Sequence, residues 1–224
     1  MTIDYGPFGF LDQFDLGFIC NRSDRQGQYR FDRQPETAHW NLLALCTALQ
    51  SVIPWETSQE ILKSFLPSLI ARYHDRMMDK LGLPNEASAA KLWQDFLIVL
   101  QKSQADYHQS FRALVQWVRN PATELAFAQT EGADDWLGKY RSLLQQHGTA
   151  TEIAARMDGC NPRYILRNWI AEDVIRAIED DKNAAPLHRL AEVLKTPYDA
   201  HPDCVDWREP PSDEYAGLTI SCSS

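Results

Sequence analysis

The sequence contains no Cys-x-x-Cys pair, no His-Glu-x-x-His, no Gly-x-Ser-x-Gly and no glycine-rich phosphate loop. Its five cysteines (Cys20, Cys46, Cys160, Cys204 and Cys222) stand far apart, which excludes a zinc ribbon and does not fit a secreted disulfide framework. The six histidines are spread singly, so a dedicated zinc site is not expected; His201 and Cys204 are three residues apart but lack two further ligands and read as a surface accident. No apolar run approaches the roughly 20 residues that span a bilayer. The best runs, 42–46 and 96–100, read as helix-core stripes. The start has neither a basic n-region nor a long apolar segment, so it is no secretory signal, and a cytoplasmic chain is expected. Basic residues are also scarce: 22 against 31 acidic ones leave a net charge of −9. That balance excludes a general grip on nucleic acid or anionic lipid, so neither is an expected partner. What remains is 224 residues, 44% hydrophobic and 24% charged, ordinary for a soluble domain with a packed core.

The first 36 residues differ from the rest. Residues 1–18 hold three glycines and four phenylalanines, and 21–34 is polar with four arginines and two aspartates, a pattern of a short strand end followed by a long loop. A loop of that length in a compact domain weighs toward a functional site. From Thr37 onward the periodicity is helical. Trp40, Leu43 and Ala44 mark one face before Pro54, and Thr57 with Glu60 has the spacing of a capping box. Ile61, Phe65, Leu69, Tyr73 and Met77 follow at i, i+4, with Pro67 predicting a kink or break and Gly82 a stop. Asn85 is expected to cap a helix with Leu92, Phe96 and Val99 on its stripe; Phe111, Leu114, Val115 and Val118 mark another. Trp136, Tyr140 and Leu144 precede Gly148, and Thr149 with Glu152 forms a second capping-box pattern. Asn161-Pro162 reads as a helix start leading to Ile165, Leu166, Trp169, Ile170, Val174 and Ile178. A last helix with Leu187, Leu190 and Leu194 ends before Pro197, and residues 199–224 read as an extended surface tail. The tryptophans and tyrosines at helical spacing are expected in the core.

Few residues suggest chemistry. Asp4-Tyr5-Gly6 sets a carboxylate at a turn where the backbone bends freely; kinase-like enzymes use such an Asp to hold the metal on ATP phosphates, although the triplet alone also fits an ordinary turn. The arginines Arg22, Arg25, Arg30 and Arg33, with Asp24 and Asp32, fit either a solvated loop with local ion pairs or a substrate-facing segment. Cys20 opens that loop and Cys222 closes the chain. Each fits an ordinary free thiol, and an exposed terminal cysteine also fits a reactive one.

Taken together, Thr2-Ile3-Asp4-Tyr5-Gly6-Pro7-Phe8-Gly9-Phe10, Phe18-Ile19-Cys20-Asn21 with Ser23-Asp24 and Gly27, and Gln34-Pro35 with Trp40-Asn41-Leu42 resemble the selenoprotein O family. Asn161-Pro162-Arg163-Tyr164, Leu166-Arg167-Asn168, Pro197-Tyr198-Asp199, Pro210-Pro211 and the final Ile220-Ser221-Cys222-Ser223-Ser224 extend the resemblance to essentially the whole chain. It implies a mainly α fold: the C-lobe of a protein-kinase-like enzyme with an added helical region and no N-lobe. It divides into residues 1–36 with the D-Y-G element and an activation-type loop, a helical region 37–198, and a tail 199–224 with a redox cysteine. The implied activity is transfer of AMP from ATP to Ser, Thr or Tyr hydroxyls of other proteins. Asp4 is the implied ligand of Mg2+ or Mn2+ and hence the ATP-binding residue. Cys20 and Cys222 match a pair that can form a disulfide tying loop to tail, which implies redox control. In the family a nucleotide-binding lobe, its Lys–Glu pair and a catalytic Asp-Asn pair precede the D-Y-G element; none lies in these residues. The resemblance therefore implies the C-terminal part of a longer protein, partnered by its missing N-terminal half and inactive without it, with an apolar face where the two halves pack. Family members commonly carry Leu before Thr-Ile-Asp-Tyr-Gly, and some Leu codons start bacterial proteins, so Met1 is expected to be a mis-called or truncated start. The rival reading is a stand-alone helical binding or redox-responsive module without catalysis.

Overall fold

The computed structural model describes residues 10–20, 24–86, 89, 91–215 and 218. Eight α-helices follow one another there: α1 (Gln34–Ala48), α2 (Trp55–Leu81), α3 (Leu92–Ser103), α4 (Tyr107–Arg119), α5 (Ala133–Leu144), α6 (Ala150–Cys160), α7 (Asn168–Glu179) and α8 (Ala185–Lys195). A 3-10 turn, Phe31–Arg33, precedes α1, and a 3-10 helix, Pro202–Arg208, follows α8. The described residues hold no strand, only an isolated antiparallel bridge between Gln13 and Asp106, so the mainly α expectation is met and the strand end expected near the start is not found over residues 10–18.

The chain divides into two compact units, one built from Asp15–Arg76 and the other from Phe10–Phe14 with Met77–Leu218. The second has an extensive core. Phe96 of α3 stacks on Trp136 of α5 at 4.5 Å and meets Phe111 and Phe127 edge-on at 5.2 Å each. The polar tips of these rings are satisfied: Trp136 Nε1 donates to Leu92 O at 2.8 Å and Tyr140 OH to Leu81 O at 2.8 Å. That pairing lets large amphipathic rings be buried without stranding a donor. α2 ends at Gly82, whose φ of +69° favours glycine, and Leu83 N returns to Met78 O. An added Cβ at Gly82 would lie 2.7 Å from Met157 Cγ and 2.8 Å from Ile153 Cγ2, so glycine also permits the approach of α6.

The first unit has little core. Among its described residues only Leu62 is a fully buried apolar side chain, whereas Trp40 is 55% exposed, Leu45 52% and Ile70 65%. α1 carries Leu42, Leu43, Ala44, Leu45 and Cys46 in succession, so its apolar groups point to all sides and one neighbour cannot cover them. The expected burial of the 42–46 run and of Trp40 is thereby corrected. A fully buried Leu or Phe contributes about 1.5–3 kcal/mol. With a single such residue, this unit gains little from its own packing.

Several local signals act differently from their sequence reading. α2 starts at Trp55, directly after Pro54, and Ser58 N donates to Pro54 O; Thr57 is thus inside the helix and cannot cap it. The same helix runs unbroken through Pro67. α3 starts at Leu92 after Lys91, so Asn85 is no cap. The Thr149–Glu152 box forms as expected, each side chain bonding the other's backbone N–H. Asn161-Pro162 opens no helix. Asn161 terminates α6, its buried amide donating to Lys80 O and Met157 O, and Arg163 N and Tyr164 N both turn to Pro197 O. The chain then runs without regular structure to Asn168. Part of the tail is also no surface strap: Cys204, inside the 3-10 helix, is buried with Tyr164 and Val193 against Trp207.

Candidate functional site

Of the residues assigned to the site, Asp4 and Cys222 lie outside the described residues. Cys20 is half-buried and forms no disulfide with any described cysteine. Arg22, in the loop that Cys20 opens, also lies outside the described residues, while residues 24–34 are held by their own polar groups. Asp24 accepts from Gln28 N at 2.9 Å and Tyr29 N at 2.7 Å, closing a turn in which Gly27 takes φ +64°. Arg30 pairs with Asp32 in a two-pronged contact of 2.5 and 2.7 Å, and Thr37 Oγ1 donates to Gln28 O. Arg30 and Asp32 thus follow the local ion-pair reading. Phe31 N and Asp32 N return to Phe18 O and Leu16 O, so the loop is fastened at its base.

In the second unit, sequence reasoning missed a buried polar centre. Arg167 is 1% exposed and pairs through Nη1 with both Asp12 and Asp106, the latter at 2.7 Å. Asp106 also caps α4 by accepting from Gln109 N, while Phe14 N to Ala105 O and Tyr107 N to Asp12 O seat residues 12–14 against the start of α4. Burial pushes the Asp12 carboxyl above its ordinary value despite the opposing pull of Arg167. Burial also opposes the charge of Arg167, but the bond to Asp106 and both carboxylates more than offset it, leaving its pKa raised. Next in sequence, Asn168 accepts from Phe10 N at 3.1 Å and donates to Leu218 O at 3.3 Å. The one legible signal was a charged residue inside an apolar run, Ile165-Leu166-Arg167-Asn168-Trp169-Ile170; its partners, 155 and 61 residues away, were not.

Two further titratable groups are enclosed near this centre. Lys80 Nζ lies 4.4 Å from the Phe111 ring centroid and 5.8 Å from that of Tyr107, and burial pushes its pKa down to about 8. His108 Nδ1 is enclosed without a partner, and burial, aided by Lys80, lowers its pKa to about 4. On α6, Asp158 takes Arg112 at 2.7 Å and also Arg119, joining α6 to α4. Among the described residues no three His, Cys, Asp or Glu side chains stand together as a metal site, and Asp12 is committed to Arg167.

Residues 1–195 match the protein-family model described as protein adenylyltransferase SelO. The chain is 38% identical over 232 residues to a Myxococcus xanthus (strain DK1622) protein named protein nucleotidyltransferase YdiU, in an alignment covering 100% of this chain and 47% of that protein. It is likewise 38% identical over 233 residues to the Vibrio parahaemolyticus (serotype O3:K6) protein of the same name, with the same coverage of 100% and 47%. The chain spans about half the length of these curated relatives. It belongs to the SelO family.

Proposed function

We propose that this chain is the part of a SelO-family protein adenylyltransferase that carries the D-Y-G element, the activation-type loop and the regulatory tail, in a fold like the C-lobe of a protein kinase. The observation that carries the reading is the 38% identity to proteins named nucleotidyltransferases over the whole chain. In the proposed reaction a Ser, Thr or Tyr hydroxyl oxygen of a target protein attacks the α-phosphorus of ATP. The bond from that phosphorus to the β-phosphate bridge breaks, pyrophosphate leaves, and the hydroxyl proton passes to a base supplied outside these residues. Bound Mg2+ or Mn2+ would neutralise phosphate charge. No carboxylate cluster among the described residues fits that ion, so its assignment rests on Asp4 alone. Cys20 and Cys222 are the proposed redox pair.

The scant core of the first unit supports a further element of this reading. Between α1 and α2 runs a groove of about 360 Å3 lined by Leu42, Cys46, Ile61, Phe65, Leu69 and Arg72, with Trp40, Leu45 and Ile70 exposed on the same two helices. Exposed apolar surface of this kind marks an interaction site. Its proposed occupant is the other half of the family's polypeptide, because the relatives carry about as much chain again outside the aligned region. The test is incorporation of α-labelled AMP into an acceptor protein, with ATP and Mg2+ or Mn2+. The 224-residue chain alone is expected to give none, and the chain joined to the complementary half of the Myxococcus xanthus relative is expected to give transfer. Transfer by the chain alone refutes its dependence on the other half; its absence from the joined protein refutes the adenylyltransferase reading.

A further inference from the structure

Three arginines of the second unit converge on a single carboxylate. Asp158 Oδ1, near the end of α6, accepts from Arg112 Nη1 at 2.7 Å; Oδ2 accepts from Arg119 Nη2, and Arg163 Nη2 stands 3.9 Å from Oδ1. Two backbone carbonyls complete the arrangement: Asn161 O accepts from Arg112 Nη1 at 3.0 Å, and Tyr198 O accepts from Arg163 Nε at 3.0 Å. Carbonyls satisfy donors but carry no net charge, so three positive groups share one negative group. Lys80 lies near enough to Arg112 for the two charges to repel. Elsewhere in the same unit the balance is reversed: Arg167 holds two carboxylates, Asp12 and Asp106, and Arg189 holds Asp203 and Glu192. The surplus at Asp158 leaves a physical trace. Burial, reinforced by Arg163 and Arg119, holds the Arg112 guanidinium below its ordinary value against the pull of Asp158. In a chain of net charge −9, this is a local field of the sign that draws anions.

The three side chains differ in access. Arg112 is 13% exposed, whereas Arg119 is 39% and Arg163 31% exposed, so the outer two present their guanidinium groups to solvent. With Asp158 and Tyr198 O bonded as above, Arg119 keeps Nε and Nη1, and Arg163 keeps Nη1, for a ligand. A planar fork of N–H donors matches the oxygens of a phosphate. We propose that Arg119 and Arg163, backed by Arg112, form a binding site for a phosphate group, borne by a phosphorylated side chain of a partner protein or by a free phosphate anion, with Asp158 as the internal counter-ion. Charge decides for phosphate over a carboxylate. Three guanidiniums less one carboxylate leave two positive charges, which a phosphate group of about −2 neutralises and a carboxylate does not. The site lies wholly within the second unit and goes beyond the proposed adenylyl transfer, on which it does not depend.

The test is calorimetric titration of the 224-residue chain at low ionic strength, where charges are least screened, with inorganic phosphate and with a phosphoserine peptide corrected for its unphosphorylated form. Two variants accompany the wild type. Asp158→Asn removes the competing carboxylate and keeps all three arginines; Arg119→Gln with Arg163→Gln removes the outer two and leaves Asp158 paired with Arg112. One saturable phosphate site is expected in the wild type, about tenfold tighter in Asp158→Asn and about tenfold weaker in the double variant. A purely structural network predicts the opposite for the first variant, which would lose stability and gain no affinity. Thermal unfolding separates lost binding from lost folding: phosphate should return most of the midpoint that Asp158→Asn loses, and the double variant should keep the wild-type helical signal. Tighter binding of the phosphoserine peptide assigns the site to a phosphorylated partner, and tighter binding of inorganic phosphate assigns it to the free anion. Absence of a saturable phosphate site from both the wild type and Asp158→Asn overturns the proposal, as does wild-type affinity in the double variant.

Discussion

Acidification should destabilise this protein through His108 as the pH falls from 6.5 toward 4. His108 Nδ1 is enclosed with no hydrogen-bond partner. Its ring meets Tyr107 edge-on at 5.1 Å. Burial pushes its pKa from 6.5 to about 4, with Lys80 and Arg167 adding to the effect and Asp106 opposing it. The unfolded chain takes up the proton near pH 6.5 and the folded one only near pH 4, so between those values the unfolded state binds more protons. Stability that is fully present above pH 6.5 is therefore lost as the pH falls toward 4. By pH 4.5 the loss through this group is about 2–3 kcal/mol, at about 1.4 kcal/mol per pH unit. The assay is urea unfolding of the wild type and His108→Phe at pH 7, 5.5 and 4.5, reading the difference between the two at each pH so that titration of other groups cancels. The difference should move in favour of the variant by that amount. Parallel curves across the range would refute the enclosed, neutral imidazole.

Two other substitutions probe the structure. Arg167→Met strands the Asp12 and Asp106 carboxylates and should cost about 3–5 kcal/mol in urea unfolding, while adding Asp12→Asn and Asp106→Asn to it should recover most of the loss; a triple variant as unstable as the single one contradicts the ion-pair account. Gly82→Ala forces a left-handed residue and a Cβ contact with Met157 and Ile153, and should lower stability by about 1–3 kcal/mol; an unchanged unfolding midpoint would mean that α6 can retreat at no cost.

What could be read in the sequence divides by the range of the interactions involved. The Thr149–Glu152 box and the Gly82 stop are made by residues a few positions apart, and both formed as expected. The Phe96, Phe111 and Trp136 stripes were likewise legible because helical periodicity alone sends them inward. Asn161-Pro162 misled because its amide is taken up by Lys80 O, 81 residues away, a partner no local pattern reveals. The clamp at Arg167 and Asn168 was visible as letters of a family signature, yet its purpose depends on Asp12, Asp106, Phe10 and Leu218, which only the fold brings together. α1 misled in the opposite sense: its composition reads as core, but its apolar groups surround the helix, and burial of Trp40 and Leu45 requires surface that these residues do not supply. Asp4, Cys20 and Cys222 came from resemblance, and of these only Cys20 has a described environment.

The central claim is adenylyl transfer supported by Asp4, and the sharpest test is which phosphate of ATP reaches the acceptor. In the joined protein, label on the α-phosphate should appear on acceptor hydroxyls and label on the γ-phosphate should not, with Asp4→Ala removing the α signal. Incorporation of the γ label instead, or α incorporation that survives Asp4→Ala, would contradict the account.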